Sequence, residues 1–128
     1  MTVLLDTHAF LWFVLDDPKL SARAREAIAD PDSRVLLSPA SYWEIAIKIS
    51  LGKYALPGSY ADLMCDQLHE NDFEILPIRP EHTAKLTDLP FHHRDPFDRL
   101  LIAQAMAEDL SLVSAHVAFD AYSIRRLW

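Results

Sequence analysis

Carboxylates that follow apolar runs or open helical segments are the residues of this chain best suited to chemistry. Asp6 ends an apolar run at the start of the sequence, and Glu44 lies in the first turns of a later helical segment. Asp95 and Asp98 open an apolar helix, and His116 follows a short apolar run. Carboxylates brought to one place repel one another and resist ionisation unless a cation lies among them. The pattern therefore suggests a cation site.

Metal-assisted hydrolysis is the chemistry that such a set of acids favours. Mg²⁺ takes carboxylate oxygens, waters and substrate phosphates in an octahedral arrangement. Two such ions about 4 Å apart can position an attacking water and stabilise the leaving oxygen of a phosphodiester. A bound cation would also make an acidic site compatible with a polyanionic substrate. Without one, the net charge of −7 argues against simple nucleic-acid binding.

Each acid also has a structural interpretation. Ser41 and Glu44 have the spacing of a capping box, in which the glutamate bonds back to the first residue of a helix. Asp95 before a proline is typical of a helix N-cap, and Asp98 then lies where the positive helix end favours an acid. Capping by Asp95 and catalysis by Asp98 are compatible. For Asp6 the functional interpretation is stronger, because an acid between two apolar segments is partly desolvated with no obvious basic partner.

Other polar residues are less specific. His116 is equally well explained as a ligand or as an ordinary loop histidine, and Asp120 is interpreted as a surface acid. Lys48 comes four residues after Glu44, which predicts an i,i+4 ion pair.

Residues around the acidic helix are also weak candidates. Arg94 and Arg99 flank the acids and are weak candidates for contact with a substrate phosphate, with solvated arginines as the equal alternative. His92 and His93 are interpreted as loop residues, since no zinc-binding spacing supports them.

Composition limits the function classes. The 128 residues are 51% hydrophobic and 24% charged, which is ordinary for one globular domain. With two glycines, the chain lacks the glycine-rich loops that cradle phosphates. A single cysteine allows no disulfide within the chain and suits a reducing cytoplasm. No apolar run approaches the roughly 20 residues that span a bilayer, so we expect no membrane association.

Strands and helices alternate along the sequence, which predicts an α/β fold with a parallel sheet. The expected strands are 2–5, 34–37, 74–78, 112–114 and 124–128. The expected helices are 7–15, 22–29 with Ser21 as its cap, 40–51, 59–70, 80–89 and 97–108. In open parallel sheets, ligands bind beyond the carboxyl ends of the strands. Because the acids end strands or open the helices that follow, we expect them to meet at that edge.

The chain resembles the PIN-domain family, and most closely the VapC-type ribonuclease toxins of type II toxin–antitoxin pairs. Three segments carry the resemblance: LLDTH at 4–8, SYWEIAIK at 41–48 and HRDPFDRLLIAQA at 93–105. It covers essentially the whole length and implies a single PIN-like domain over residues 1–128. The implied fold is a three-layer α/β/α sandwich with a central, mainly parallel sheet.

The resemblance also implies site residues. The three acids of the family fall on Asp6, Glu44 and Asp98, as catalytic residues that hold Mg²⁺ or Mn²⁺, and Asp95 is an additional candidate. A fourth acidic position of the family is occupied here by His116. Neutral imidazole is a weaker ligand for Mg²⁺ than carboxylate is. The chain is thus left with three options: one metal ion, a preference for Mn²⁺, or a nearby acid recruited instead, which would be Asp120.

The implied activity is cleavage of RNA by a cytoplasmic homodimer. The implied protein partner is a cognate antitoxin, whose arginine-bearing tail would pair with the acidic pocket. Two alternatives keep the fold: a solitary RNA-processing nuclease, and a metal-deficient domain that only binds protein or RNA. A phosphoacceptor signalling domain fits less well, because Thr7 and His8 follow Asp6 where that class has a second acid.

Overall fold

A five-stranded parallel sheet with helices on both faces forms the structure, a computed structural model that describes residues 1–128. The strand order is β3-β2-β1-β4-β5. The elements, in chain order, are β1 (Thr2–Leu5), α1 (Thr7–Val14), α2 (Ala22–Ala29), β2 (Arg34–Leu37), α3 (Pro39–Ser50), α4 (Tyr60–Glu70), β3 (Glu74–Ile75), α5 (Pro80–Thr87), α6 (Pro96–Glu108), β4 (Ser111–Val113), a 3₁₀ helix (Val117–Ala121) and β5 (Arg125–Leu127).

The central strand β1 sets the register of the sheet. Leu4 pairs with Leu36 of β2 on one side and with Leu112 of β4 on the other. All four strand pairs are parallel, so the carboxyl ends of the strands lie along one edge. The segments that follow β1, β2 and β4 therefore begin at the same edge, as the sequence predicts.

Two apolar clusters lie on opposite faces of the sheet. Val3 and Leu5 of β1 pack into a cluster with Phe10, whereas Leu4 packs into a second cluster with Ile102. This alternation follows from the two-residue period of a strand. Burying a side chain of this size contributes roughly 1.5–3 kcal/mol. The predicted three-layer α/β/α sandwich is confirmed.

Strand β3 is shorter than the sequence pattern predicts. It covers Glu74–Ile75 rather than 74–78. Leu76 still donates its N–H to the Leu37 carbonyl at 2.9 Å, but Pro77 has no N–H to donate and β3 is an edge strand, so the strand pairing ends there. Strand β4 starts and ends one residue earlier than predicted, and helix α5 ends at Thr87 instead of 89.

The helices are all too short or too polar to pass through a lipid bilayer.

Candidate functional site

Asp6 lies at the junction of β1 and α1, at the carboxyl edge of the sheet. Its backbone N–H donates to the Val113 carbonyl at 3.0 Å, which continues the β1–β4 ladder. Its Oδ1 accepts from the Ala9 N–H at 2.7 Å and caps α1. The residue is 2% exposed, and Oδ2 is buried with no hydrogen-bond partner. One carboxylate oxygen is therefore used by the fold, and the other is left free.

Burial raises the pKa of Asp6. The Ser114 hydroxyl, the Ala9 N–H and the nearby imidazoles of His116 and His8 lower the pKa in part and do not cancel the effect of burial. The Ser114 hydroxyl is near the carboxylate but forms no hydrogen bond of ordinary geometry with Oδ2. A cation bound beside Asp6 would restore the stabilisation that burial removes from the ionised form.

Asp95 and Asp98 open helix α6 and have different roles. Asp95 Oδ1 accepts from the Asp98 N–H at 2.9 Å, so the predicted N-cap is confirmed. Oδ2 of Asp98 lies 2.7 Å from Nε2 of His93. Burial raises the pKa of Asp98, and the neighbouring charge of Asp95 raises it further, against the lowering effects of His93 and His116. The cap thus uses the backbone N–H of Asp98 and not its carboxylate, which contacts His93 instead.

The capping box considered as the structural alternative for Ser41 and Glu44 does not form. Helix α3 begins at Pro39, with Ser38 as its N-cap, so Glu44 is already in the second turn. Ser38 Oγ accepts the Ala40 N–H at 3.1 Å, which satisfies the helix start without Glu44. The glutamate is therefore free to face the interior of the protein.

Glu44 is buried and fully hydrogen-bonded. Its Oε1 accepts from the Thr7 hydroxyl at 2.7 Å, and its Oε2 accepts from Lys48 Nζ at 2.8 Å. The Lys48 contact confirms the predicted i,i+4 ion pair. Thr7 directly follows Asp6, so this network ties the second acid to the residue beside the first. Ser41 joins it through a 3.2 Å contact with the Thr7 hydroxyl.

Three imidazoles lie around these carboxylates. The ring of His116 is 5.8 Å from that of His8 and 6.3 Å from that of His93, measured between centroids. It also stacks on Phe119 at 5.1 Å. His116 is among the groups that lower the pKa of Asp6 and of Asp98. Its backbone N–H donates to Ser114 Oγ at 3.0 Å, and Ser114 follows Val113, whose carbonyl accepts the Asp6 N–H.

Arg99 does not have either of the roles considered for it. It is buried rather than solvated, and its guanidinium donates to the carbonyls of Leu89 at 3.1 Å and Pro90 at 2.8 Å. It holds the loop before α6 in place and is not available to a phosphate. Arg94 is exposed. Asp120 is an exposed acid, as predicted, and forms an ion pair with Arg126 at 2.8 Å.

The carboxylates do not form a complete coordination group as they stand. No three His, Cys, Asp or Glu side chains are placed to hold a metal ion together. Glu44 is bound by Thr7 and Lys48, and Asp98 Oδ2 contacts His93. The donor types nevertheless fit a divalent cation, because hard carboxylate oxygens predominate and Asp6 Oδ2 is buried without a partner.

No large cavity opens at these residues. The five main cavities, of 220–580 Å³, are lined by other parts of the surface. The largest lies beside Thr2 and Arg34, at the amino ends of β1 and β2. Asp6, Glu44 and Asp98 therefore do not line any of these five cavities.

Sequence reasoning missed two contributors. His93 was expected to be a plain loop residue, yet it contacts Asp98. Thr7 was not considered, and it joins Glu44 to the end of β1. The closeness of His93 to the start of an acid-capped helix could have indicated its contact. Thr7 and Glu44 are 37 residues apart, and no local signal predicts their bond.

Comparison with known proteins identifies the family. The model of the PIN domain family matches residues 3–124. The chain therefore belongs to the PIN-domain family.

Several solved structures share the fold. The structure of VapBC2 from Rickettsia felis, bound to a DNA fragment from their promoter, matches with a TM-score of 0.73 and 15% identity over 98% of this chain and 97% of that chain. FitAcB from Neisseria gonorrhoeae matches with a TM-score of 0.67 and 19% identity, over 97% of this chain and 95% of that chain. VapBC-1 from nontypeable Haemophilus influenzae matches with a TM-score of 0.66 and 17% identity, over 98% of this chain and 96% of that chain. No curated protein matches the sequence significantly.

Proposed function

We propose that this protein is a divalent-metal-dependent endoribonuclease that hydrolyses RNA phosphodiester bonds. The observation that carries the proposal is the Asp6 carboxylate, which is 2% exposed and has one oxygen without a partner. Leaving a charged atom buried and unsatisfied destabilises a fold, so such an atom at the ligand-binding edge of a parallel sheet is explained best by a cation that completes it.

Asp6, Glu44 and Asp98 are the residues proposed to hold the cation. Asp6 offers Oδ2 while Oδ1 keeps α1 capped. Asp98 offers Oδ2 once its bond to His93 opens, and Glu44 stays anchored by Lys48. A bound Mg²⁺ or Mn²⁺ supplies an activated water and stabilises charge at the phosphodiester.

Three further residues are secondary candidates. Asp95 sets the position of Asp98 through its cap. His116 is bound through its backbone to Ser114 and lies 6.3 Å, between ring centroids, from His93. Arg94 is exposed beside Asp95 and is proposed as a weak contact for a substrate phosphate.

RNA cleavage by the purified chain tests this function. The wild-type protein and Asp98→Asn are each incubated with RNA in Mg²⁺, in Mn²⁺ and in EDTA. We expect cleavage in either metal, none in EDTA, and a large loss in the variant. The control is Asp88→Asn, an acid at the end of α5, which should cleave normally. Metal-dependent cleavage that survives Asp98→Asn would reject the assignment of the ligand.

A second candidate is a PIN-fold module that binds protein or RNA without chemistry. It is favoured by the lack of a preformed coordination group. Calorimetric titration with Mn²⁺ separates the two candidates. A ligand at 100 times its Kd that binds only the folded state stabilises it by about 2.7 kcal/mol. If Mn²⁺ produces no heat of binding and no shift in Tm, the binding module is favoured.

We further propose that the protein acts as the toxin of a toxin–antitoxin pair and forms a homodimer. The resemblance to VapC-type toxins supports this, as does the fold it shares with VapBC2 and FitAcB. Co-expression with the product of the neighbouring reading frame should give a stable complex that no longer cleaves RNA. Sedimentation equilibrium of the chain alone should give twice the monomer mass. A monomer that forms no complex would favour a solitary nuclease.

A further inference from the structure

His116 differs from the other histidines near the acids because both of its ring nitrogens lack a hydrogen-bond partner, whereas His8 and His93 each use one. Nε2 of His93 is bound to Asp98, and Nε2 of His8 lies 3.5 Å from the Tyr54 hydroxyl. The hydrogen bond of His116 is made by its backbone N–H, to Ser114, and neither of its ring nitrogens has a partner in the protein. Its stacking on Phe119 holds the ring without using these nitrogens.

The unpartnered oxygen of Asp6 belongs to the same cluster. Asp6 is almost fully buried, and its Oδ2 has no hydrogen bond. Its backbone N–H donates to the Val113 carbonyl, and the next residue, Ser114, accepts the backbone N–H of His116, so His116 is held beside the Asp6 junction. The ring of His116 also lies 6.3 Å from that of His93, whose Nε2 contacts Asp98. An unpartnered carboxylate oxygen and an unpartnered imidazole nitrogen thus lie together, and a metal ion that accepts both kinds of donor would satisfy both.

The negative charge around the proposed cation is smaller than the three acids Asp6, Glu44 and Asp98 would give together. Glu44 is paired with Lys48, so Asp6 and Asp98 carry most of the uncompensated negative charge. Mg²⁺ holds its waters tightly and is bound chiefly by anionic oxygens, whereas first-row transition ions accept imidazole readily. The donor set therefore suits a transition ion better than it suits Mg²⁺.

We propose that His116 supplies a ring nitrogen to the cation, and that the site consequently selects a divalent first-row transition ion over Mg²⁺. This inference rests on the proposed function, since it concerns the same cation. It predicts that affinity rises from Mn²⁺ to Co²⁺, following the usual order for nitrogen ligands, with Mg²⁺ the weakest of the three.

The ratio of Co²⁺ to Mg²⁺ affinity is the quantity to measure, by calorimetry on the purified full chain. In His116→Ala we expect Co²⁺ affinity to fall by about tenfold or more, with little change for Mg²⁺. In His116→Asp, an added carboxylate should raise Mg²⁺ affinity and reduce the ratio. The control is His69→Ala, an exposed histidine on α4 remote from the acids, which should keep the wild-type ratio.

A spectroscopic readout is independent of affinity and activity. Substoichiometric Mn²⁺ should broaden the ring signals of His116 before those of His82, which is buried between α5 and α6. Circular dichroism of each variant checks the fold, and His116→Asp provides a second variant if His116→Ala is unstable.

The outcomes separate the two proposals. A Co²⁺ to Mg²⁺ ratio that falls in both variants, with broadening at His116, supports the inference. Binding with an unchanged ratio in His116→Ala overturns the inference and leaves the proposed nuclease intact. Absence of binding by all three ions overturns both.

Discussion

Two histidine–carboxylate pairs of nearly equal length lie in different surroundings. His82 Nε2 is 2.8 Å from Glu108 Oε1, between α5 and α6, and His93 Nε2 is 2.7 Å from Asp98 Oδ2, at the edge of the sheet. His82 is fully buried, and its Nδ1 accepts the Arg79 N–H at 3.0 Å. That bond assigns the proton to Nε2, which donates to Glu108. The side chain of Glu108 is 37% exposed, so water can stabilise its charge.

The pair at the edge of the sheet has the opposite arrangement. There the carboxylate is the more buried partner, and burial raises the pKa of Asp98. Asp6 nearby leaves a charged oxygen unpartnered, whereas the unpartnered atom near His82 is a neutral amide oxygen of Gln104. A buried polar group normally has its hydrogen-bond partners in place, and a buried carboxylate oxygen without one is a candidate for a functional role. The comparison thus separates a structural pair from a candidate catalytic one.

The sharpest way to break this comparison is Asp6→Asn. Asparagine still caps α1, so we expect the fold to survive while RNA cleavage falls by about 10²- to 10³-fold, as for loss of a key stabilising group. Cleavage rates at saturating Mn²⁺ measure the effect. Glu108→Gln is the matched control from the other pair and should cleave normally. Equal losses in both variants would remove the distinction between the two regions.

The converse change is His82→Ala. It removes a fully buried ring and leaves the Arg79 N–H without its acceptor. We expect a loss of about 2–4 kcal/mol in the free energy of unfolding, with cation affinity unchanged. Urea denaturation gives the first quantity and calorimetry the second. A loss below 1 kcal/mol, or a weakened cation site, would contradict the structural role.

The pH dependence of stability distinguishes the regions more finely. In the unfolded chain Asp6 ionises near its ordinary pKa of 3.8, whereas burial raises its pKa in the folded protein. Between these two values the folded state binds more protons, so the free energy of unfolding falls as pH rises. Asp6→Asn removes this pH-dependent loss in the free energy of unfolding.

In EDTA we therefore expect the Tm of Asp6→Asn to exceed that of the wild type, with a gap that widens as pH rises from about 4 towards neutrality. Differential scanning calorimetry at several pH values measures this. Saturating Mn²⁺ should close the gap, because it stabilises the wild type alone. Parallel Tm curves in EDTA would show that the Asp6 carboxylate is not strained by burial.

The smallest effect is expected for Asp120→Asn. Asp120 lies near His116 in sequence, yet it is exposed and bound to Arg126, which lowers the pKa of its carboxyl. We expect unchanged cleavage and unchanged cation affinity. A weakened site in this variant would show that Asp120 is recruited as a ligand.

Local sequence predicted much of this structure. The apolar run of β1 and the caps of α2 and α6 lie where the pattern indicates, because a strand period or a cap depends on neighbouring residues alone. The ion pair of Lys48 with Glu44 is local in the same sense. The capping box failed although its spacing matched, since Pro39 starts α3 before Ser41. Arg99 was misjudged because the carbonyls that bind it belong to a loop whose path no pattern describes.

By itself the sequence determined the alternation of strands and helices, the edge of the sheet at which the acids collect, and the residue types available to a cation. Tertiary structure decided which atoms of those residues have partners. Thr7 reaches Glu44 across 37 positions, and His116 approaches Asp6 from the far end of the chain. Such contacts depend on how β1, α3 and β4 pack, and packing is set by the whole core rather than by any local run of residues.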